Sequence, residues 1–121
     1  MGPLARGRVM RLVVAFVLAA SGVASGYAEE GEKGTIAGAG WVSCGEYAQK
    51  YQADPQNTED YFYAWAQGYM SGLNQALWQK KNLRGWPIAR QKQHIRAYCD
   101  KRPLANVVAA VQDVFDNLPA R

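Results

Sequence analysis

The chain has 121 residues, 49% of them hydrophobic and 20% charged, with a formal net charge of +4. That length fits one small domain, and that composition excludes wholesale disorder. The positive balance is a weak pointer to nucleic acid, because part of it comes from the N-terminus and not from the domain.

Arg6, Arg8 and Arg11 form a basic start, Leu12 to Ala20 is an unbroken apolar run, and small residues follow to Ala28. This is the layout of a secretory signal peptide, with Gly26-Tyr27-Ala28 supplying small residues before the cut. A membrane span needs about 20 apolar residues, and Gly22, Ser25 and Gly26 interrupt the run too early. The expected organisation is therefore a cleaved signal over 1–28, a flexible glycine-rich leader over 29–40 and a helical domain over 41–121. Export places the domain in the periplasm or outside the cell, with no stable membrane insertion after cleavage. Eleven of the fourteen cationic residues and all ten acids lie after Ala28, so the mature chain is close to neutral.

Cys44 and Cys99 are the only cysteines. In an oxidising compartment an even pair in a small domain reads as a disulfide. Such a bridge contributes about 4 kcal/mol in the chain-entropy model. One His and two distant Cys make no metal site, no Cys-x-x-Cys is present for redox work, and no cofactor motif appears.

Ser43-Cys44-Gly45-Glu46 reads as a capping box opening a first helix that ends before Asp54-Pro55. Asn57 or Thr58 then caps a second helix, with apolar positions Tyr61, Phe62, Trp65, Tyr69, Leu73, Ala76 and Leu77 at helical spacing and an end near Lys80-Lys81. Tyr63 falls on the opposite, exposed side of that pattern. Pro87 suits the first turn of a third helix whose buried stripe is Ile88, Ile95, Tyr98 and Cys99. Pro103 ends it and starts a fourth, with Leu104, Val107, Val108, Val111, Val114, Phe115 and Leu118 at helical spacing. The fold class is all-α, a small four-helix bundle with one disulfide.

Gly68-Tyr69-Met70-Ser71-Gly72 superficially resembles a nucleophile motif, but the serine is one place late and mid-helix, and nothing pairs it with His94. No catalytic residue is assigned and no enzyme is expected. Gly68 and Gly72 share a face and together cost about 1–2 kcal/mol of helix propensity. Close approach of another helix, in this chain or a second copy, would offset that. Tyr61, Trp65, Gly68, Tyr69, Gly72 and Leu73 are thus the candidate packing or partner surface.

Charge is segregated. Residues 29–79 carry an acidic excess, whereas 80–102 carry eight bases against Asp100. Lys80, Lys81, Arg84, Arg90, Lys92 and Arg96 form a candidate surface for an acidic partner. Nothing resembles a recognition helix, so nucleic acid is not expected.

The placement of Cys44 at the start of the first mature helix, and the run Ile95-Arg96-Ala97-Tyr98-Cys99-Asp100-Lys101-Arg102-Pro103 before an apolar helix, resemble the HdeA/HdeB family of small periplasmic proteins. The family's Cys-x-x-x-Pro step falls on Cys99 and Pro103. That resemblance implies an acid-activated chaperone, a homodimer at neutral pH whose subunits separate in acid and hold unfolding clients. The Gly68-Tyr69-Met70-Ser71-Gly72 stretch is similar to the Gly-Tyr-x-x-Gly helix of Tai-type immunity proteins. This second resemblance implies a protein that binds and neutralises a secreted toxin.

Overall fold

The structure, a computed structural model, describes Gly2, residues 34–78 and residues 80–121. The predicted export segment from Arg6 to Ala28 and the start of the leader lie outside them. The folded unit is Gly34–Arg121. It contains four α-helices and one disulfide, with no strand among the described residues.

The first helix, α1 (Cys44–Ala53), starts where the capping residue predicts. The Ser43 hydroxyl accepts from the Glu46 N–H at 3.1 Å, while the Glu46 carboxylate lies 3.6 Å from Lys50. One residue, Asp54, both ends α1 and caps α2 (Pro55–Ala76). Its carboxylate accepts from the Asn57 N–H at 3.3 Å and side-chain amide at 2.7 Å. The predicted caps Asn57 and Thr58 are already inside the helix, because Pro55 has its φ fixed for the first helical position and needs no hydrogen-bond acceptor there. Thr58 instead donates its hydroxyl to the Lys50 carbonyl at 2.9 Å, tying the two helices together.

The second helix also ends earlier than expected, at Ala76. Asn74 accepts from the Lys81 N–H at 2.7 Å and donates to the Lys81 carbonyl at 3.1 Å, so the chain must turn back. The Lys80 ammonium donates to the carbonyls of Gln75 and Leu77 at 3.0 and 2.7 Å. Those bonds occupy carbonyls at the helix end and place positive charge at its negative pole.

The third helix, α3 (Ile88–Lys101), follows Pro87 directly. Its inward stripe is Gln91, Ile95 and Cys99, spaced by four, whereas Ile88 is 53% exposed. The last helix, α4 (Val107–Asn117), begins four residues after the predicted start at Pro103. The Ala105 N–H bonds back to the Arg102 carbonyl, forming a turn that leaves Leu104 97% exposed. From there the apolar pattern holds: Val107, Ala110, Val111, Val114, Phe115 and Leu118 are buried.

The N-terminal ends of α1 and α4 are stitched together. Cys44 N–H donates to Ala105 O at 2.7 Å, Gly45 N–H to Pro103 O at 3.0 Å, and Val107 N–H to Val42 O at 2.9 Å. Beside them the Cys44–Cys99 bridge joins the start of α1 to the end of α3, with Cα atoms 4.6 Å apart. Both sulfurs belong to a core that also holds Tyr47, Phe62, Met70, Ile95 and the α4 stripe. Tyr47 meets Phe62 edge to face at 4.9 Å, and burial pushes its hydroxyl pKa up to about 12.

The fold begins before Trp41. Gly38–Trp41 forms a short 3₁₀ turn, and Ala39 and Gly40 are buried. Gly38 has φ +74°, a left-handed conformation that favours glycine. The indole of Trp65 lies so close over Gly40 that a Cβ there would overlap the ring. Glycines that read as leader are thus what lets this turn slide beneath Trp65.

Candidate functional site

Positions 61, 64, 68, 72 and 75 of α2 advance by three or four residues and so share one side of the helix. All five are exposed. A Cβ added at Gly68 or Gly72 would meet nothing within 4 Å. Among the described residues no other helix of the chain approaches these glycines, since α2 turns its opposite side to the core. Tyr61 is 64% exposed at one end of the face, and just beyond the other end stands Trp78, 97% exposed, beside the 43% exposed Leu77.

Three of the six candidate packing or partner residues pack within the fold. Trp65 and Tyr69 stack at 5.1 Å. The Trp65 indole N–H donates to Ala37 O at 3.1 Å, and the Tyr69 hydroxyl bonds Gln112 Oε1 at 3.2 Å on α4. Leu73 packs against the core. Tyr61, Gly68 and Gly72 remain on the surface.

Tyr63 is the clearest reversal. Predicted to point outward, it is buried, and its hydroxyl donates to Gln91 Oε1 at 3.0 Å. Burial raises its pKa. The Gln91 amide donates to Leu83 O at 3.0 Å and Trp86 O at 2.9 Å, so all its polar valences point at α2 and the connector before α3. Sequence reasoning missed Gln91 because its side chain is polar. The signal available was its place four and eight residues before Ile95 and Cys99.

Five of the six basic residues make contacts within the fold. Lys80 is bound to carbonyls at the end of α2, and the Lys81 ammonium donates to Asp116 O and Leu118 O at 3.0 and 3.1 Å. The Arg90 guanidinium lies 3.8 Å over the Trp86 ring. Lys92 pairs with Asp60 at 2.8 Å, and Arg96 with Glu59. Arg84 alone of the six has no such contact among the described residues.

The last two pairs, with the Tyr63–Gln91 bond, make a polar seam between α2 and α3. The Lys92 hydrogen bond, aided by Gln56, holds the Asp60 carboxyl below the usual aspartate range. A further pair, His94 Nε2 to Asp113 Oδ2 at 2.6 Å, links α3 to α4. The same two helices send Phe62, Met70 and Ile95 into the core.

Ser71 and His94 line different clefts, so they form no nucleophile–base pair. Among the described residues no three His, Cys, Asp or Glu side chains gather as a metal site, and no helix is long and apolar enough to cross a membrane. Comparison with protein-family models, curated proteins and solved structures gave no match.

Proposed function

We propose that this chain is a non-enzymatic, exported binding protein that acts as HdeA/HdeB-type proteins do, closed at neutral pH and able to hold unfolding proteins in acid. The observation that carries this reading is the polar seam between α2 and α3. Its two carboxylates, Glu59 and Asp60 of α2, pair directly with Arg96 and Lys92 of α3, and both helices also contribute buried apolar residues to the core. Protonation removes the attraction and leaves the cations, so acid loosens α2 and presents Phe62, Tyr63 and Met70 to a client. The disulfide, which joins α1 to α3 and leaves α2 out, keeps the rest of the chain connected while this happens.

The test is light scattering from an unrelated aggregation-prone protein at about pH 3 and at pH 7, with and without the oxidised chain. Suppression confined to acid supports the reading, and no suppression at either pH refutes it. A second reading, an immunity protein for one secreted toxin, is favoured by the exposed face of α2 that runs from Tyr61 past Gly68 and Gly72, with exposed Trp78 just beyond the helix end. It requires tight capture of a single partner near neutral pH, which a pull-down would register.

A further inference from the structure

We infer that the cleft between α2 and the start of α3 binds a small carboxylate carrying an apolar body. The cleft has a volume of about 570 Å³, within the range of small-ligand sites. Met70, Leu83 and Trp86 supply its apolar wall, and Ser71, Gln67 and Arg84 its polar groups.

The wall is prearranged. Gln91 ties the carbonyls of Leu83 and Trp86 to Tyr63, fixing the connector against both helices. Trp86 is held from outside by the Arg90 guanidinium at 3.8 Å and the His94 ring at 5.4 Å. A side chain restrained in this way loses little freedom when a ligand arrives.

The polar end selects an anion. Arg84 lines this cleft and also a neighbouring one of about 480 Å³ that contains Lys81 and Arg121. Lys50, Lys92, His94 and Arg96 each face a carboxylate, whereas among the described residues Arg84 pairs with none. Ile88, the first residue of α3, also lines the cleft, and the first turn of that helix has neither a side-chain cap nor an acidic residue. Its positive end therefore adds to the field of Arg84. A carboxylate beside Arg84 and Ser71, with its body on Met70, Leu83 and Trp86, satisfies both halves of the cleft.

The oxidised full chain would be titrated with octanoate, octanol and octylammonium while amide and indole N–H signals are followed by NMR. Octanoate is expected to give saturable shifts at the Trp86 indole, the Gln91 side chain and Ser71, with octanol and octylammonium at least about tenfold weaker. Arg84→Gln should weaken octanoate about tenfold without changing the fold, because Arg84 is an exposed connector residue. Ile88→Asp should weaken it similarly while leaving the melting temperature equal or higher, since an acid suits a helix N-terminus. A short peptide with a free C-terminal leucine, compared with its amide, separates the two sources of such a group. Binding of the peptide acid assigns the site to a chain end, and binding of octanoate alone assigns it to a free small molecule. Equal affinity for octanol and octanoate, unchanged affinity in Arg84→Gln, or no saturable shift would overturn the proposal.

Discussion

Replacing Gln91 with leucine isolates the contribution of a buried polar clamp. Leucine has nearly the volume of glutamine, so the change removes three hydrogen bonds and opens little space. Gln91 is 1% exposed, and it serves the Tyr63 hydroxyl, the Leu83 carbonyl and the Trp86 carbonyl. Leaving a buried polar group without a partner costs about 1–3 kcal/mol. The two carbonyls belong to partly buried residues and recover some hydration, so the expected loss is about 2–4 kcal/mol overall. For a domain of this size that lowers the melting temperature by roughly 10–25 °C. Urea and thermal unfolding of the oxidised chain would measure it. Tyr63→Phe alone leaves one acceptor unpaired and should cost about 1 kcal/mol, and the double variant should cost less than the sum. A loss below about 0.5 kcal/mol for Gln91→Leu would refute the assignment of Gln91 as the clamp between α2, the connector and α3.

Gly68→Ala and Gly72→Ala should each stabilise the isolated chain by up to about 1 kcal/mol, because the added Cβ meets nothing within 4 Å. If a partner lies on that face, the same variants weaken its binding, and comparison of unfolding midpoints with binding curves separates the two effects. Cys44→Ser with Cys99→Ser should cost about 4 kcal/mol in urea unfolding, and reduction of the native chain should match it. The Asp60–Lys92 pair gives stability a defined pH dependence. The folded-state pKa of Asp60 lies below its unfolded value, so the pair stabilises fully above about pH 4 and is lost as pH falls through the lower folded value. Asp60→Asn should flatten that part of the profile in unfolding experiments between pH 5 and pH 2.

Large apolar residues at helical spacing make α4 legible, since nothing competes with burial of Val107, Val111, Val114 and Phe115. The disulfide is equally legible, since Cys44 and Cys99 are the only two cysteines in the sequence. Residues with mixed character are not. Tyr63 falls outside the apolar stripe of α2 and Gln91 carries no apolar signal at all, yet each provides the partner that makes burial of the other tolerable. Asp54 reads as a terminator in the sequence but also caps α2, and the glycines at 38 and 40 read as leader because their role depends on Trp65, distant in sequence. On the candidate surface, the glycine notch was visible but the direction it faces was not. A helix with aromatic residues on several sides can be rotated more than one way, and Tyr63, Ala66 and Met70 decide the choice here. The basic run carries no sign in the sequence that Glu59 and Asp60, more than 30 residues earlier, pair with two of its members.

The most direct test of the acid-opening account is the pH profile of aggregation suppression for the native chain and for Glu59→Gln/Asp60→Asn. The native chain should begin to protect an unrelated client only below about pH 4, where Asp60, held below the usual aspartate range, takes up its proton. The variant, whose seam has lost both negative charges, should begin to protect it at distinctly higher pH. Identical profiles, or protection by the native chain at pH 7, would contradict the claim that the α2–α3 seam is the element that acid releases.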